Sequence, residues 1–522
     1  MWKTHSSVRI SGSSIPSYKP YKLVLVAVLL ALFLNTALVP GFQNPPLLYP
    51  NDAYAVAWED VKAAGGDTPY WRYIWIGNQA GPQQRSDLIA AVNFTINSLS
   101  KRRMLVPVTP LPMGDGSVLR VDLKAYDIDP DIWDDLGSKG SGPLRSVKKL
   151  EIPEPYFHWS KTTTFQEVIE KLVDVPAYQL DGKWYTKKWT KTPGEKKTKT
   201  ELVHGPWLVP QTAANLVTGT HTDFPLFRAE WFIANALFPP SYQKFLGVKT
   251  EADFFNLTRF RAKDDDLAVK AVALISSEVA HHNRSLLIER SVFGYATRSN
   301  DYGSSVGKQN LLDDILEDNN VADAHEYIHS LPNELQCYLI TDKQRKVVDV
   351  GDPQIVSDKN RTIGWEDSRV WTGMSCILCH NKGLKDITDD VRKLADLKKG
   401  IFAFPNDKNL ARFVDAFGPD QRTKIAEYQG IYAKVMKATN GLTPEKNAAN
   451  LGKIFLEQVQ KPVTLDTVVQ DTGYAKEKIL EVLRTTKGLE HPLVQLLAEI
   501  PIRRDQYEQS YGQLMTLLSG KP

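Results

Sequence analysis

Two of the 3 cysteines in the chain stand three positions apart with a histidine directly behind them, in Cys376-Ile377-Leu378-Cys379-His380. On a helical turn, residues three apart share a side, so both thiols face the same way and the imidazole follows beneath them. Few partners suit that pattern. Two such thiols can add to the two vinyl groups of a haem, and the histidine then meets the iron as its proximal ligand. The spacing predicts one covalent haem c, linked through Cys376 and Cys379, with His380 axial. Other uses of the pair fit less well. A thioredoxin-type dithiol belongs to a βαβ context, which the surrounding sequence lacks. A structural zinc needs four ligands, and only Cys337 with a distant histidine remains to complete the set. A Cys376–Cys379 disulfide would close too small a loop to stabilise much.

The second axial position stays open. Met436 lies in a stretch with helical spacing, and a His/Met pair gives a relatively high potential. A methionine there is more often core filler. Met374 is too close to Cys376 to reach the opposite face. His281, His282, His325 and His329 are the alternatives for bis-His ligation, and an open five-coordinate iron is the other.

The N-terminus sets the compartment. Lys3, Arg9, Lys19 and Lys22 precede an uncharged run from Leu23 to Val39. Residues 1–22 read as a basic cytoplasmic lead and 23–39 as a transmembrane anchor or signal h-region. The run is at the short limit for spanning about 30 Å of hydrocarbon. Ala53-Tyr54-Ala55 sits too far downstream to be a cleavage site, which favours an uncleaved anchor. Everything past Pro40 is then expected on the exported side of the cytoplasmic membrane, periplasm or cell surface. Covalent haem attachment takes place outside the cytoplasm, so the two features agree.

Composition excludes several classes. Of 522 residues, 42% are hydrophobic and 24% charged, which is ordinary for a globular chain. The 64 Lys and Arg against 61 Asp and Glu give a net charge of +3, which carries no sign of nucleic-acid binding. Three cysteines exclude a disulfide scaffold. The lysine-rich run Lys187 to Lys199 reads as a solvated loop or hairpin tip.

The expected fold class is α+β. After a linker at 40–58, residues 59–365 read as a mixed α/β exported region and 366–522 as a mainly helical, cytochrome c-like region. Apolar residues recur at helical spacing from Asp87 to Ser100, and Val118 to Tyr126 alternates as a half-buried strand does. Residues 137–220 read as loops and short strands. Phe227 to Leu237 reads as a helix stopped by Pro239-Pro240. Leu335 to Ile340 and Lys346 to Val350 read as paired strands. Helices are expected over Leu410 to Phe417, Arg422 to Lys437, Glu445 to Val459, Ala475 to Thr485 and Pro492 to Ile500.

One motif competes. His325-Glu326-Tyr327-Ile328-His329 is a literal H-E-x-x-H, which on a helix would hold zinc between the histidines with the glutamate as base. Glu334 or Glu366 would be the third ligand. Pro332 follows closely and LQCYLI (335–340) reads as a strand, so the pentapeptide can itself be extended, with the histidines too far apart for one metal.

The stretches LRVDLKAYDIDPDIWDDL (119–136), FRAEWFIANALFPPSY (227–242), HSLPNELQCYLI (329–340) and GMSCILCHNKGL (373–384) carry a resemblance. The chain resembles large exported bacterial c-type cytochrome proteins of uncharacterised role that hold a single C-x-x-C-H. The resemblance implies haem on Cys376 and Cys379 with His380 axial, and implies no substrate. Glu334 stands where glycine is expected, Cys337 where a small residue other than cysteine is expected, and Ser291 where histidine is expected. Histidine is not expected at 325 or 329.

The expectation is therefore an exported, membrane-anchored protein that moves single electrons between its haem and an unknown redox partner. A haem enzyme or ligand sensor with an open iron is the alternative. An exported zinc peptidase using His325, Glu326 and His329 is the third reading.

Overall fold

The computed structural model describes residues 50–518 apart from 78–81, 114, 140–176, 181–182, 190–197, 203–209, 223, 261–268, 274–278, 307–308, 310–321, 359–367, 387–389, 391–420, 460 and 473. The described residues all belong to the unit Leu47–Pro522, a mixed α+β structure. The segment 23–39 belongs to a separate unit, Met1–Pro46, outside the described residues. The helix expected at 410–417 also lies outside the described residues. Among the described residues no helix is long and apolar enough to cross a membrane.

The strands in chain order are β1 (Trp71–Trp75), β2 (Thr109–Pro110), β3 (Val118–Asp122), β4 (Ala177–Leu180), β5 (Lys183–Trp189), β6 (Thr198–Leu202), β7 (Leu226–Arg228), β8 (Val269–Ala273), β9 (Arg284–Ser291), β10 (Gly294–Asp301), β11 (Ala324–Ser330) and β12 (Gln336–Asp342). They form three sheets, ordered β2-β3-β1-β7, β4-β5-β6 and β12-β11-β10-β9-β8. The lysine-rich run takes in the end of β5 and the start of β6, which pair antiparallel with Lys188 opposite Lys199, and its residues 190–197 lie outside the described residues.

Strand alternation explains the layering. Successive side chains point to opposite faces of a sheet, and β1, β3 and β7 bury both. β1 pairs antiparallel with β3, Ile74 opposite Leu119, and parallel with β7, Ile74 opposite Phe227. Those three residues enter one apolar cluster, shared with the helices Pro82–Ser98, Ala229–Ala236, Gln421–Asn440 and Pro444–Val459. Tyr73, Trp75, Val118 and Leu226 point the other way. They meet the helix Pro50–Ala63 and the C-terminal helices Leu465–Thr472, Lys476–Thr485, His491–Leu497 and Arg504–Leu518. The helices after 420 are thus split between the two faces of one sheet.

Local chemistry moved several boundaries. The strand expected through Tyr126 stops at Asp122, whose side chain accepts from Lys124 N at 3.1 Å and caps a single turn, Leu123–Tyr126. The helix expected from Phe227 begins after β7, because Leu226–Arg228 pairs with β1. Lys346 to Val350 is not a strand. Asp342 Oδ1 accepts from the backbone of Gln344 and Lys346, and the segment makes only isolated bridges, Val347 with Thr341 and Val350 with Trp371. Glu334, in the turn between β11 and β12, has φ 69, the left-handed region that favours the glycine expected there.

Charge is buried where the two helical layers meet β7. The Arg228 guanidinium pairs with Asp471, approaches Glu230 Oε2 at 3.5 Å and donates to Gln458 Oε1 at 2.9 Å. Arg504 donates to the other oxygen of Asp471 at 2.8 Å. Removing one member of a buried ionic cluster strands the rest. Arg228→Ala is therefore expected to cost about 3–5 kcal/mol. Urea unfolding of the full chain checks it, and a midpoint equal to the parent's would refute it.

Candidate functional site

The motif occupies a helix of one and a half turns, Met374–Cys379, with His380 closing it. The two residues before it are tied down. Thr372 donates through N to Asp349 O at 2.9 Å and through Oγ1 to Val348 O at 3.0 Å. Gly373 then turns the chain with φ 86, and a Cβ there would lie 2.7 Å from both Leu237 O and the Tyr242 ring. Glycine is required twice over, by the left-handed backbone and by the close approach. Gly373→Ala is expected to lower the melting temperature of the chain by several degrees, read by circular dichroism.

The helix presents two kinds of face. Met374, Ile377 and Leu378 are buried in the first apolar cluster, with Tyr432 and Leu451 from the two helices behind. Cys376 and Cys379 are both half-buried, and none of the three cysteines is in a disulfide. Burial, with the Glu326 carboxylate and Cys379 nearby, holds the Cys376 thiol above its ordinary range. A thiol so held is a poor thiolate, which disfavours disulfide exchange. A thioether carries no charge and suits the same surroundings.

His380 is oriented from its own loop. Its N donates to Cys376 O at 2.8 Å, and its Nδ1 lies 3.3 Å from Gly383 O. A carbonyl only accepts, so Nδ1 carries the hydrogen, and in the neutral ring the lone pair is on Nε2. Ligating histidines are commonly oriented by such a bond. The Tyr338 ring stands beside the imidazole, centroids 6.2 Å apart. The residues therefore fit a haem bonded through Cys376 and Cys379 with His380 on the iron.

Met436 is fully buried within the same apolar cluster, where its side chain packs as core. His281 Nε2 is 2.9 Å from Ser357 Oγ. H-E-x-x-H lies on β11, where side chains alternate, and the helical face that zinc binding needs is not formed. His325 Nδ1 donates to Asn300 Oδ1 at 2.8 Å. His329 Nδ1 meets Thr258 Oγ1 at 3.0 Å among the rings of Phe254, Phe255 and Phe260. Glu326 faces the opposite side and pairs with Arg284 at 3.0 Å, beside Asp301. Cys337 is buried and donates to His329 O at 3.3 Å. Among the described residues no three His, Cys, Asp or Glu groups could hold a metal ion together; Glu366 lies outside them.

Sequence reading missed Tyr242, Tyr338 and Gly383 as neighbours of the motif. Tyr338 is placed by strand register, opposite Ile328, and no local pattern announces that. In comparisons with known proteins, the chain matches no family model, no curated protein and no solved structure.

The strand histidines impose a pH dependence. Burial lowers His325 from 6.5 to about 4, helped by Arg345 and Arg298, and lowers His329 from 6.5 to about 3, helped by Arg298. The unfolded chain binds protons at both near pH 6.5, which the folded chain refuses until lower pH. Their contribution is intact above pH 6.5 and is lost as pH falls from there through about 4 and 3. His329→Gln is expected to flatten the fall in unfolding free energy between about pH 6 and 4. An unchanged slope in a pH series of urea melts would count against it.

Proposed function

We propose that the chain is an exported c-type cytochrome protein with one haem c, bonded through Cys376 and Cys379 and ligated by His380. The proposal includes kinship with the large single-haem exported proteins it resembles, and an N-terminal anchor or signal at 23–39. The observation that carries it is the Nδ1 hydrogen bond from His380 to Gly383 O at 3.3 Å, one turn past two half-buried thiols. That bond gives the imidazole the tautomer an iron ligand needs.

When bound, the haem supplies a one-electron Fe(III)/Fe(II) couple. The chain supplies the rest. Cys376 and Cys379 fix the ring to a helix whose underside is part of the core. His380 is oriented by Gly383 and flanked by Tyr338. Buried apolar neighbours at Ile377 and Leu378 keep water from that side of the attachment point. The redox partner would be selected by charge around the exposed ring edge.

The full chain, made in a host with c-type maturation machinery, tests this. An alkaline pyridine spectrum of the thioether-linked type, at one haem per chain, is expected. It should disappear in Cys376→Ala/Cys379→Ala. Absence of covalent haem with stoichiometric zinc in its place would sink the proposal.

A further inference from the structure

Tyr338 is the aromatic side chain of the sheet that reaches the motif histidine. It lies on β12, is 2% exposed, and its ring is tilted 32° from the His380 imidazole at a centroid distance of 6.2 Å. Both ends of the residue are held. Its backbone N donates to Tyr242 Oη at 3.0 Å, and its phenol donates to Gln336 Oε1 at 2.7 Å. Gln336 is itself buried, 3% exposed, and shares the sheet face with Tyr338 because strand side chains two apart point the same way. Tyr242 is the side chain against which Gly373 turns the chain into the motif helix. The same side chain that bonds Tyr338 therefore also packs against the residue that precedes the motif helix.

On the loop side His380 Nδ1 lies 3.3 Å from Gly383 O, a length near the weak end of hydrogen bonding. Such a bond orients a ring only if the ring is prevented from turning away, and a neighbour held by two hydrogen bonds can do that.

From this geometry we infer that Tyr338, locked by Gln336 and Tyr242, is the positioning residue for His380: its ring holds the imidazole in the orientation and tautomer set by Gly383. The inference deepens the haem reading and rests on it for its meaning, but its first test does not need the haem. The ring carries the effect, so phenylalanine should substitute for tyrosine and leucine should not.

The experiment uses the full chain with 15N-labelled histidine. In the haem-free Cys376→Ala/Cys379→Ala background, the His380 resonances are identified by their loss in His380→Gln. The expected spectrum is a single Nδ1–H tautomer, kept in Tyr338→Phe and replaced by a tautomer mixture in Tyr338→Leu. An unchanged tautomer in Tyr338→Leu overturns the inference, and so does equal disturbance by Phe and Leu. If Tyr338→Leu does not fold, Tyr338→Met, which fills the core without a ring, is expected to give a mixture and overturns the inference if it does not. In the haem-loaded chain, Tyr338→Leu should keep its thioether spectrum while its reduction equilibrium moves about tenfold, close to 59 mV for one electron. Failure to form thioether haem in the parent chain would refute the haem reading alone, because the nitrogen spectrum still decides Tyr338.

Discussion

Burial of both faces of the strands β3, β1 and β7 is the constraint on which the remaining structure depends. A sheet covered on one side can leave its other face to water, but Tyr73 and Trp75 on one face and Ile74 on the other are all excluded from solvent. Apolar layers are needed on both sides, and the chain supplies them from distant segments. Helices after 464 cover one face, while the motif helix and the helices Gln421–Asn440 and Pro444–Val459 belong to the cluster on the other. Arg228, at the end of β7, reaches Asp471 and Gln458 from that junction. Apolar layers slide easily over one another, and a directional ionic contact fixes their register.

The motif helix inherits its order from that arrangement. Six residues are too few to hold a helix in water by hydrogen bonding alone. Met374, Ile377 and Leu378 anchor it from below, and Gly373 and Thr372 anchor its start. The thiols and imidazole need no strength of their own and are oriented by the core behind them. The same sheet that brings Tyr338 to His380 turns His325 and His329 away, into partnerships with Asn300 and Thr258.

Much of the periodic structure was legible in the residues. The helices Pro82–Ser98, Gln421–Asn440, Pro444–Val459, Lys476–Thr485 and His491–Leu497 follow apolar spacing read from the residues, whereas Leu465–Thr472 was not read from it and Pro50–Ala63 begins inside the stretch read as a linker. The pentapeptide stood out as a candidate site because the chemistry proposed for it fixes the spacing of three residues within one turn. Two kinds of information were not legible. Boundaries decided by a single side chain, such as Asp122 capping where alternation continued through Leu123, turn on one hydrogen bond. Neighbours decided by register, such as Tyr338 beside His380, depend on which strand pairs with which, and β12 carries no local mark of that choice. H-E-x-x-H shows the converse: letters suited to a helical zinc site sit in a strand, because β11 pairs on both sides with β10 and β12.

The half-buried position of Cys376 has a further consequence. Its helix has Ile377 and Leu378 within the cluster that also contains β1, β3 and β7. A chromophore bonded there would keep its environment only while that interior stays closed. Its colour would then serve as a gauge of integrity for both layers, reporting distant damage at the strand ends or in the covering helices as readily as damage beside the ring.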